Sequence, residues 1–261
     1  MRLQDEGYSA RVEFQGNRLQ VKVRRPYIQP AMPPDENRRG EINGFSRKSR
    51  KRLLDFISSI DWKGQKAVFV TLTYPREFPK PKDAKNHLRA FMERVRRRFP
   101  QSSAIWRMEF QKRGAPHFHL IFFNMPYWDK KSLQVSWGEI IGYESPFTRI
   151  ELIKSWRKAM SYVSKYIAKE DSRDSDSGFN YLPYLHAGRV WGFFQKDKIP
   201  FAALIIVSLP LIDRQFYQFR RYAKRFWRGV KRQGIPAGWT IYHEDMVMFR
   251  ELLALSHALP V

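Results

Sequence analysis

One stretch constrains this chain more than any other: Trp106-Arg107-Met108-Glu109-Phe110-Gln111-Lys112-Arg113-Gly114-Ala115-Pro116-His117-Phe118-His119-Leu120-Ile121-Phe122-Phe123. Its alternation has a period of two, the signature of two strands joined by a tight turn around Gly114 and Pro116. Trp106, Met108, Phe110, Phe118, Leu120 and Phe122 form one apolar face, while Arg107, Glu109, His117 and His119 lie on the other. A turn at Arg113-Gly114-Ala115 sets residue 112 against 116, and therefore Glu109 against His119. Opposed residues of an antiparallel pair share a face, with Cβ atoms roughly 5 Å apart. The hairpin is thus expected to aim two imidazoles and a carboxylate at one point, a metal site derived from parity. The bland alternative is a polar outer face, and a one-residue slip would send Glu109 to the wrong side.

The 261 residues suffice for one domain with added elements or for two small ones, and 43% hydrophobic content is that of a globular chain. No run approaches the roughly 20 apolar residues of a membrane span. The longest, Phe201 to Leu211, contains Ser208 and Pro210 and reads as a buried strand. The first residues, Met1 to Glu6, lack an apolar signal core, so the expected compartment is the cytoplasm. With no cysteine, disulfides, thiolate ligands and cysteine nucleophiles are excluded, and a metal must be held by His, Asp or Glu. Lys and Arg total 48 against 25 acids, a net charge of +23, which points to a polyanion such as a phosphate backbone. Aromatic residues at 15% add stacking capacity for single strands, although most phenylalanines belong to a core.

Along the chain, residues 9 to 25 read as a hairpin turned at Gln15-Gly16-Asn17, followed by a Pro-rich irregular passage from Pro26 to Gly44. Ser46 to Ile57 reads as a helix whose first turns hold Arg47, Lys48, Arg50, Lys51 and Arg52, either a phosphate contact or a solvated face. Ala67 to Tyr74 is apolar, β-branched and aromatic, stopped by Pro75, and fits a central strand buried on both faces. An amphipathic helix over 81 to 99 repeats Leu88, Phe91, Met92, Val95 and Phe99, with Lys85, Arg89, Arg96 and Arg97 outside. A polar helix around 128 to 141 and a strand from Phe147 to Leu152 come next. Beyond a loop at Asp171 to Gly178, strands are expected at Gly188–Phe194 and Ala203–Ser208. A helix from Leu211 to Arg228 bears Arg220, Arg221, Lys224 and Arg225, and a last helix runs from Glu244 to Leu259. His87, His186, His243 and His257 are assigned structural or surface positions. No G-x-x-x-x-G-K-[ST] phosphate loop is present.

The second chemical element is the helix Ser155 to Lys169. Trp156, Met160, Val163 and Ile167 define its expected buried stripe. At about 100° per residue, Tyr162 and Tyr166 stand roughly a quarter to a third of a turn off it, at the core margin. Lys158 and Lys169 share their side, with Lys165 just beyond. Such a pair is either boundary packing or a pair of nucleophiles. Nearby cations favour phenolate over phenol, whose ordinary pKa is about 10. A divalent ion polarising a scissile phosphate, a tyrosine hydroxyl attacking phosphorus and Lys165 stabilising developing charge make one coherent reaction. Imidazole and carboxylate ligands with open positions suit Mn²⁺ or Mg²⁺, and both remain open.

These residues carry a resemblance. His117-Phe118-His119 resembles the His-hydrophobe-His motif of HUH endonucleases, and Phe69-Val70-Thr71-Leu72-Thr73-Tyr74 their first strand. Tyr162-Val163-Ser164-Lys165-Tyr166-Ile167-Ala168-Lys169 is similar to the two-tyrosine motif of rolling-circle replication initiators of phages and plasmids. Glu109 matches the acidic third ligand of some initiators, and Gly188-Arg189-Val190-Trp191-Gly192 a segment of phage-type members. The resemblance implies an α/β (α+β) fold: a ferredoxin-like, RRM-like core with a central antiparallel sheet over 66–195, the histidines on a central strand. Flanks at 1–65 and 196–261 bring extra basic helices, expected to pack on the core. It further implies metal ligands Glu109, His117 and His119, and catalytic Tyr162, Tyr166 and Lys165. Nicking of single-stranded origin DNA, a 5′-phosphotyrosine intermediate, and dependence on a host helicase and DNA polymerase in a bacterial cell would follow. Arg47, Lys48, Arg50, Lys51, Arg52, Lys169, Arg189, Arg220, Arg221, Lys224 and Arg225 are the expected DNA contacts. No membrane is involved, and oligomeric state is left open. The competing readings are a single-strand transposase, a nuclease that hydrolyses with water, and a non-catalytic DNA-binding protein with a structural metal site.

Overall fold

A computed structural model of the chain describes residues 9–24, 45–168, 187–210, 214–226 and 238–244, with Val247, Glu251 and Ala254. The expected loops at 26–44 and 171–178 and most of the last helix lie outside these residues. In order, the elements are β1 (Ser9–Gln15), β2 (Arg18–Arg24), α1 (Arg47–Ser58), β3 (Ala67–Thr73), α2 (Pro81–Arg98), β4 (Ser103–Phe110), β5 (Pro116–Phe123), α3 (Lys130–Ile141), β6 (Thr148–Ile153), α4 (Trp156–Ala168), β7 (Trp191–Phe194), β8 (Ile205–Pro210), α5 (Arg214–Phe226) and β9 (Trp239–Tyr242). Two antiparallel sheets and five α-helices among the described residues make the protein α+β. It divides into two compact units, one of Met1–Arg38, Asp55–Asp61 and Phe201–Val261, the other of Arg39–Leu54 and Trp62–Pro200.

The larger unit holds the five-stranded sheet, in the order β6-β3-β5-β4-β7. The run β3-α2-β4-β5-α3-β6, with β5 inserted between β3 and β4, is the split β-α-β arrangement of ferredoxin-like folds. β5 is therefore central, as the histidine motif implied. Behind the sheet, Val70, Leu72, Met108, Phe118, Leu120 and Phe122 are buried with Leu88, Phe91, Met92 and Val95 of α2. Trp137 of α3 completes this core. Its ring lies 6.0 Å from that of Phe91 and 6.4 Å from that of Phe118, and its Nε1 donates to the Thr73 carbonyl at 2.7 Å.

The β4–β5 hairpin differs from expectation in one respect. Its register sets Glu109 against His117, Arg107 against His119 and Phe110 against Pro116. The turn is longer than three residues, closed by Gln111 N–H to the Ala115 carbonyl at 2.9 Å and Gly114 N–H to the Gln111 carbonyl at 2.8 Å. Gly114 has φ +83°, a left-handed conformation that favours glycine. A shift of two residues preserves parity, so the four polar side chains still share a face. Arg113 pins the tip of the hairpin to the end of β3, donating to the carbonyls of Tyr74 at 2.6 Å, Pro75 at 2.5 Å and Arg76 at 3.2 Å.

The smaller unit corrects the expected boundaries. The two flanks join in one sheet, β8-β1-β2-β9, so β1 and β2 pair with strands from the other end of the chain. β9 was not expected at all. Ala10, Val12, Phe14, Leu19 and Val21 pack with Val207, Leu209, Trp239 and Ile241 and with Phe216, Phe219 and Ala223 of α5. Gly16, at φ +57°, turns the β1–β2 hairpin where a Cβ would come within 2.6 Å of the Ser58 carbonyl.

Truncating Trp137 to Ala removes both its packing and the partner of Thr73, and should cost about 3–5 kcal/mol in urea unfolding. Trp137→Phe, which keeps a ring but loses the indole N–H, should cost less.

Candidate active site

Paired strand residues share a face, so the register writes out the site as rows across the sheet. One row runs Arg149, Thr71, His119, Arg107, Trp191 over β6, β3, β5, β4 and β7. On one side of it lie Thr73, His117 and Glu109, and on the other Glu151, Phe69, Ile121, Ile105 and Phe193. This is the face opposite the α2 and α3 core.

Glu109 and His119 are both buried at the centre. Glu109 Oε2 lies 3.4 Å from His119 Nε2, and its Oε1 lies 3.1 Å from Arg107 Nη2. Burial opposes ionisation of Glu109, but hydrogen bonding from His119 and the Arg107 charge, aided by the charges of both histidines, hold its carboxyl below the ordinary value of 4.5. His119 Nδ1 is 3.2 Å from Thr71 Oγ1. With Nε2 facing a carboxylate, the proton belongs on Nε2 and the Thr71 hydroxyl donates to Nδ1. The Arg107 guanidinium stacks 4.1 Å over the Phe45 ring. The His117 ring stands 4.4 Å from that of His119, nearly perpendicular at 77°.

Among the described residues no three His, Asp or Glu side chains close on a single ion position. The expected triad is thus present as a close pair with a neighbour. Its donor chemistry nevertheless fits a divalent cation. Ligands bonded at roughly 2.1 Å and set 90–109° apart lie roughly 3.0–3.4 Å from each other, the spacing of the Glu109–His119 pair.

Tyr162 is not at the core margin. It is 8% exposed, with Ala159 fully buried, whereas Trp156 and Met160 of the expected stripe are only half-buried. The reason is an aromatic stack: the Tyr162 ring lies 4.1 Å from Phe69, and Phe69 lies 5.5 Å from the His119 ring, the planes within 18° at each step. The Tyr162 hydroxyl donates to Glu151 Oε2, and Arg149 pairs with Glu151 Oε1. Burial, then Glu151, pushes the phenol up to about 12. The expected pull of lysines toward phenolate is therefore reversed, because Lys158 sits 5.6 Å over the ring while a carboxylate meets the hydroxyl. Tyr166 and Lys165 lie on α4, their side chains outside the described residues, as is Lys169.

Of the cationic candidates, Arg47, Lys48, Lys51 and Arg52 are exposed on α1 and Arg189 before β7. Arg50 is not: it is 9% exposed, sharing the inward side of α1 with Leu53 and Ile57 at i+3 and i+7. Trp191 Nε1 donates to Ser49 Oγ at 2.6 Å, which ties this helix to the edge of the site face. Arg221 is exposed and Arg220 and Lys224 half-buried on α5, in the other unit; the Arg225 side chain lies outside the described residues. Thr71, Phe69, Arg149 and Glu151 are site residues that motif reading missed.

Comparison with known proteins places these elements together. A family model for the ORF2-type replication-associated proteins matches residues 67–171, from the start of β3 to just beyond α4. A replication-associated protein of Pseudomonas phage Pf3 is 30% identical over 201 residues, covering 73% of this chain and 70% of that protein. Among solved structures, the hypothetical protein ORF119 of Sulfolobus islandicus rod-shaped virus 1 aligns with 49% of this chain and 97% of its own, at 22% identity and a TM-score of 0.33, too loose a likeness to carry an argument.

The tyrosine environment is open to direct titration. Phenolate absorbance that disappears in Tyr162→Phe should titrate near pH 12 in the parent protein, and Glu151→Gln should bring it down toward the ordinary 10. Because the folded value is raised, the stability it contributes is complete below pH 10 and is lost as pH rises through about 12.

Proposed function

This chain belongs to the ORF2-type family of replication-associated proteins, and from that premise we propose that it initiates replication by nicking one DNA strand at an origin. The proposed reaction is transesterification. A tyrosine hydroxyl of α4 attacks the scissile phosphorus, the 3′ oxygen leaves, and a 5′-phosphotyrosine ester keeps the bond available for rejoining. The observation that supports this best is the stack Tyr162–Phe69–His119, which sets a tyrosine and the imidazole–carboxylate cluster on one sheet face. Tyr166, one turn further along α4, is the proposed second hydroxyl, and Lys165 the cation for developing charge.

Glu109, His117 and His119 are the proposed holders of a divalent ion, Mn²⁺ or Mg²⁺, which when bound supplies Lewis-acid polarisation of the phosphate. Thr71 suits that role. With His119 Nε2 acting as a ligand, the ring proton moves to Nδ1, and Thr71 Oγ1 at 3.2 Å turns from donor to acceptor. The exposed cations of α1, Arg189 and the cations of α5 are proposed phosphate contacts. The released 3′ hydroxyl would prime a host DNA polymerase, with a host helicase opening the duplex in the bacterial cytoplasm.

One observation favours a second reading, hydrolysis by water with the tyrosines only packing: the Tyr162 hydroxyl is already engaged by Glu151. A denaturing gel separates the two. With Mn²⁺ and end-labelled single strands tiling the replicon that carries the gene, transesterification gives a protein-linked band absent from the Tyr162→Phe/Tyr166→Phe double variant. Water-driven cleavage gives cut strands with no linked band. His119→Ala should slow either product by about 100-fold or more, the effect of several kcal/mol of lost charge stabilisation. Separately, replacing Lys48, Lys51 and Arg52 with Ala should flatten the salt dependence of single-strand binding by about 2 in log–log slope, at about 0.7 per contact. Arg50→Ala should instead lower the unfolding midpoint and leave that slope unchanged.

A further inference from the structure

Glu151 belongs to none of the motifs read from the sequence, yet it touches the tyrosine hydroxyl. β6 sets it directly opposite Phe69, so its carboxylate stands beside the ring on which Tyr162 stacks. Its two oxygens have different partners, Oε2 the Tyr162 hydroxyl and Oε1 the Arg149 guanidinium, so rotating the group away breaks a contact. The side chain is 25% exposed, which leaves a route for a proton to water. The charged groups facing this pair are Arg149 on β6 and Lys158 on α4; Phe69, packed against it from β3, carries no charge.

Resting on the transesterification reading above, we propose that Glu151 positions the Tyr162 hydroxyl and accepts its proton as the oxygen bonds to phosphorus. The Tyr162 O–H bond breaks while the new O–P bond forms. The electron pair of the old P–O bond leaves with the 3′ oxygen, which takes a proton from water. In rejoining, the 3′ hydroxyl attacks, and Glu151 returns the proton to the departing Tyr162 oxygen. A carboxylate is a weak base toward a free phenol. It becomes a competent acceptor here because the phenolic proton turns strongly acidic once its oxygen is bonded to phosphorus. The acceptor must then be ionised beforehand. The hydrogen bond from Tyr162 favours the Glu151 carboxylate, its burial opposes ionisation slightly, and Arg149 adds to the hold below the ordinary value.

A tie that served only to dock α4 on β6 would need an acceptor but no base, and that difference sets the experiment. The full chain is assayed with Mn²⁺ on the tiled single strands, reading the linked band and, by anisotropy, oligonucleotide binding. In Glu151→Gln the linked band should form about 10²–10⁴-fold more slowly with binding held within about twofold, and its rate should climb about tenfold per pH unit where the parent is level. Glu151→Asp should recover part of the rate, and it serves as the test variant if Glu151→Gln fails to fold. A parental rate in Glu151→Gln overturns the proposal. So does a slowed rate that follows a lowered unfolding midpoint without the pH slope. A linked band that survives Tyr162→Phe overturns it while leaving transesterification standing, and a parent protein that forms no linked band overturns both.

Discussion

The central strand β5 serves two incompatible surroundings, and its pleat keeps them apart. Phe118, Leu120 and Phe122 go to the helices behind the sheet, and His117 and His119 go to the face in front. β5 is paired along its whole length with β4 and along seven residues with β3, so it cannot slip alone. A slip of one residue would drive two imidazoles into the apolar core, at about 1–3 kcal/mol for each polar group left unsatisfied there, and would expose three apolar side chains. The hydrophobic core thereby sets the register of the histidines. Gly114 and Arg113 hold the free end of the hairpin to the same register.

Where local periodicity decides the outcome, the sequence was legible. β3, α2 and the hairpin have apolar patterns of period two or 3.6 and lie within about two residues of where they were read. The hairpin register was misread by two, and parity forgave it. Tyr162 was misplaced because a hydrophobicity stripe treats a phenol as half polar, whereas its ring buries fully against Phe69. Arg50 was placed with its cationic neighbours although its spacing to Leu53 and Ile57 already marked the inner side of α1. Glu151 and Arg149 alternate visibly on β6, but nothing local says that β6 pairs with β3. The same holds for the smaller unit, where β1 and β2 find β8 and β9 some 180 residues or more away in sequence, and the four residues of β9 are too few to carry a pattern.

The distribution of charge follows from burial. Inside the site, each carboxylate has its own arginine: Glu109 with Arg107, and Glu151 with Arg149. Buried charges are tolerated because they are paired. The net excess of +23 is accordingly carried at the surface, including the outward side of α1 and, in the smaller unit, that of α5. The attraction for a polyanion and the chemistry proposed for it thus reside on different side chains. Salt would screen the first far more than the second.

Phe69 stands between Tyr162 and His119, in parallel contact with both rings. The distance from phenol to imidazole is therefore gauged by the thickness of one benzene ring rather than by a loop or a helix end. Such a spacer is rigid, carries no charge and leaves neither neighbour free to drift toward the other. Any chain that kept an aromatic ring at this position could exchange much of the helix above it without altering the span across which a phosphodiester would have to fit.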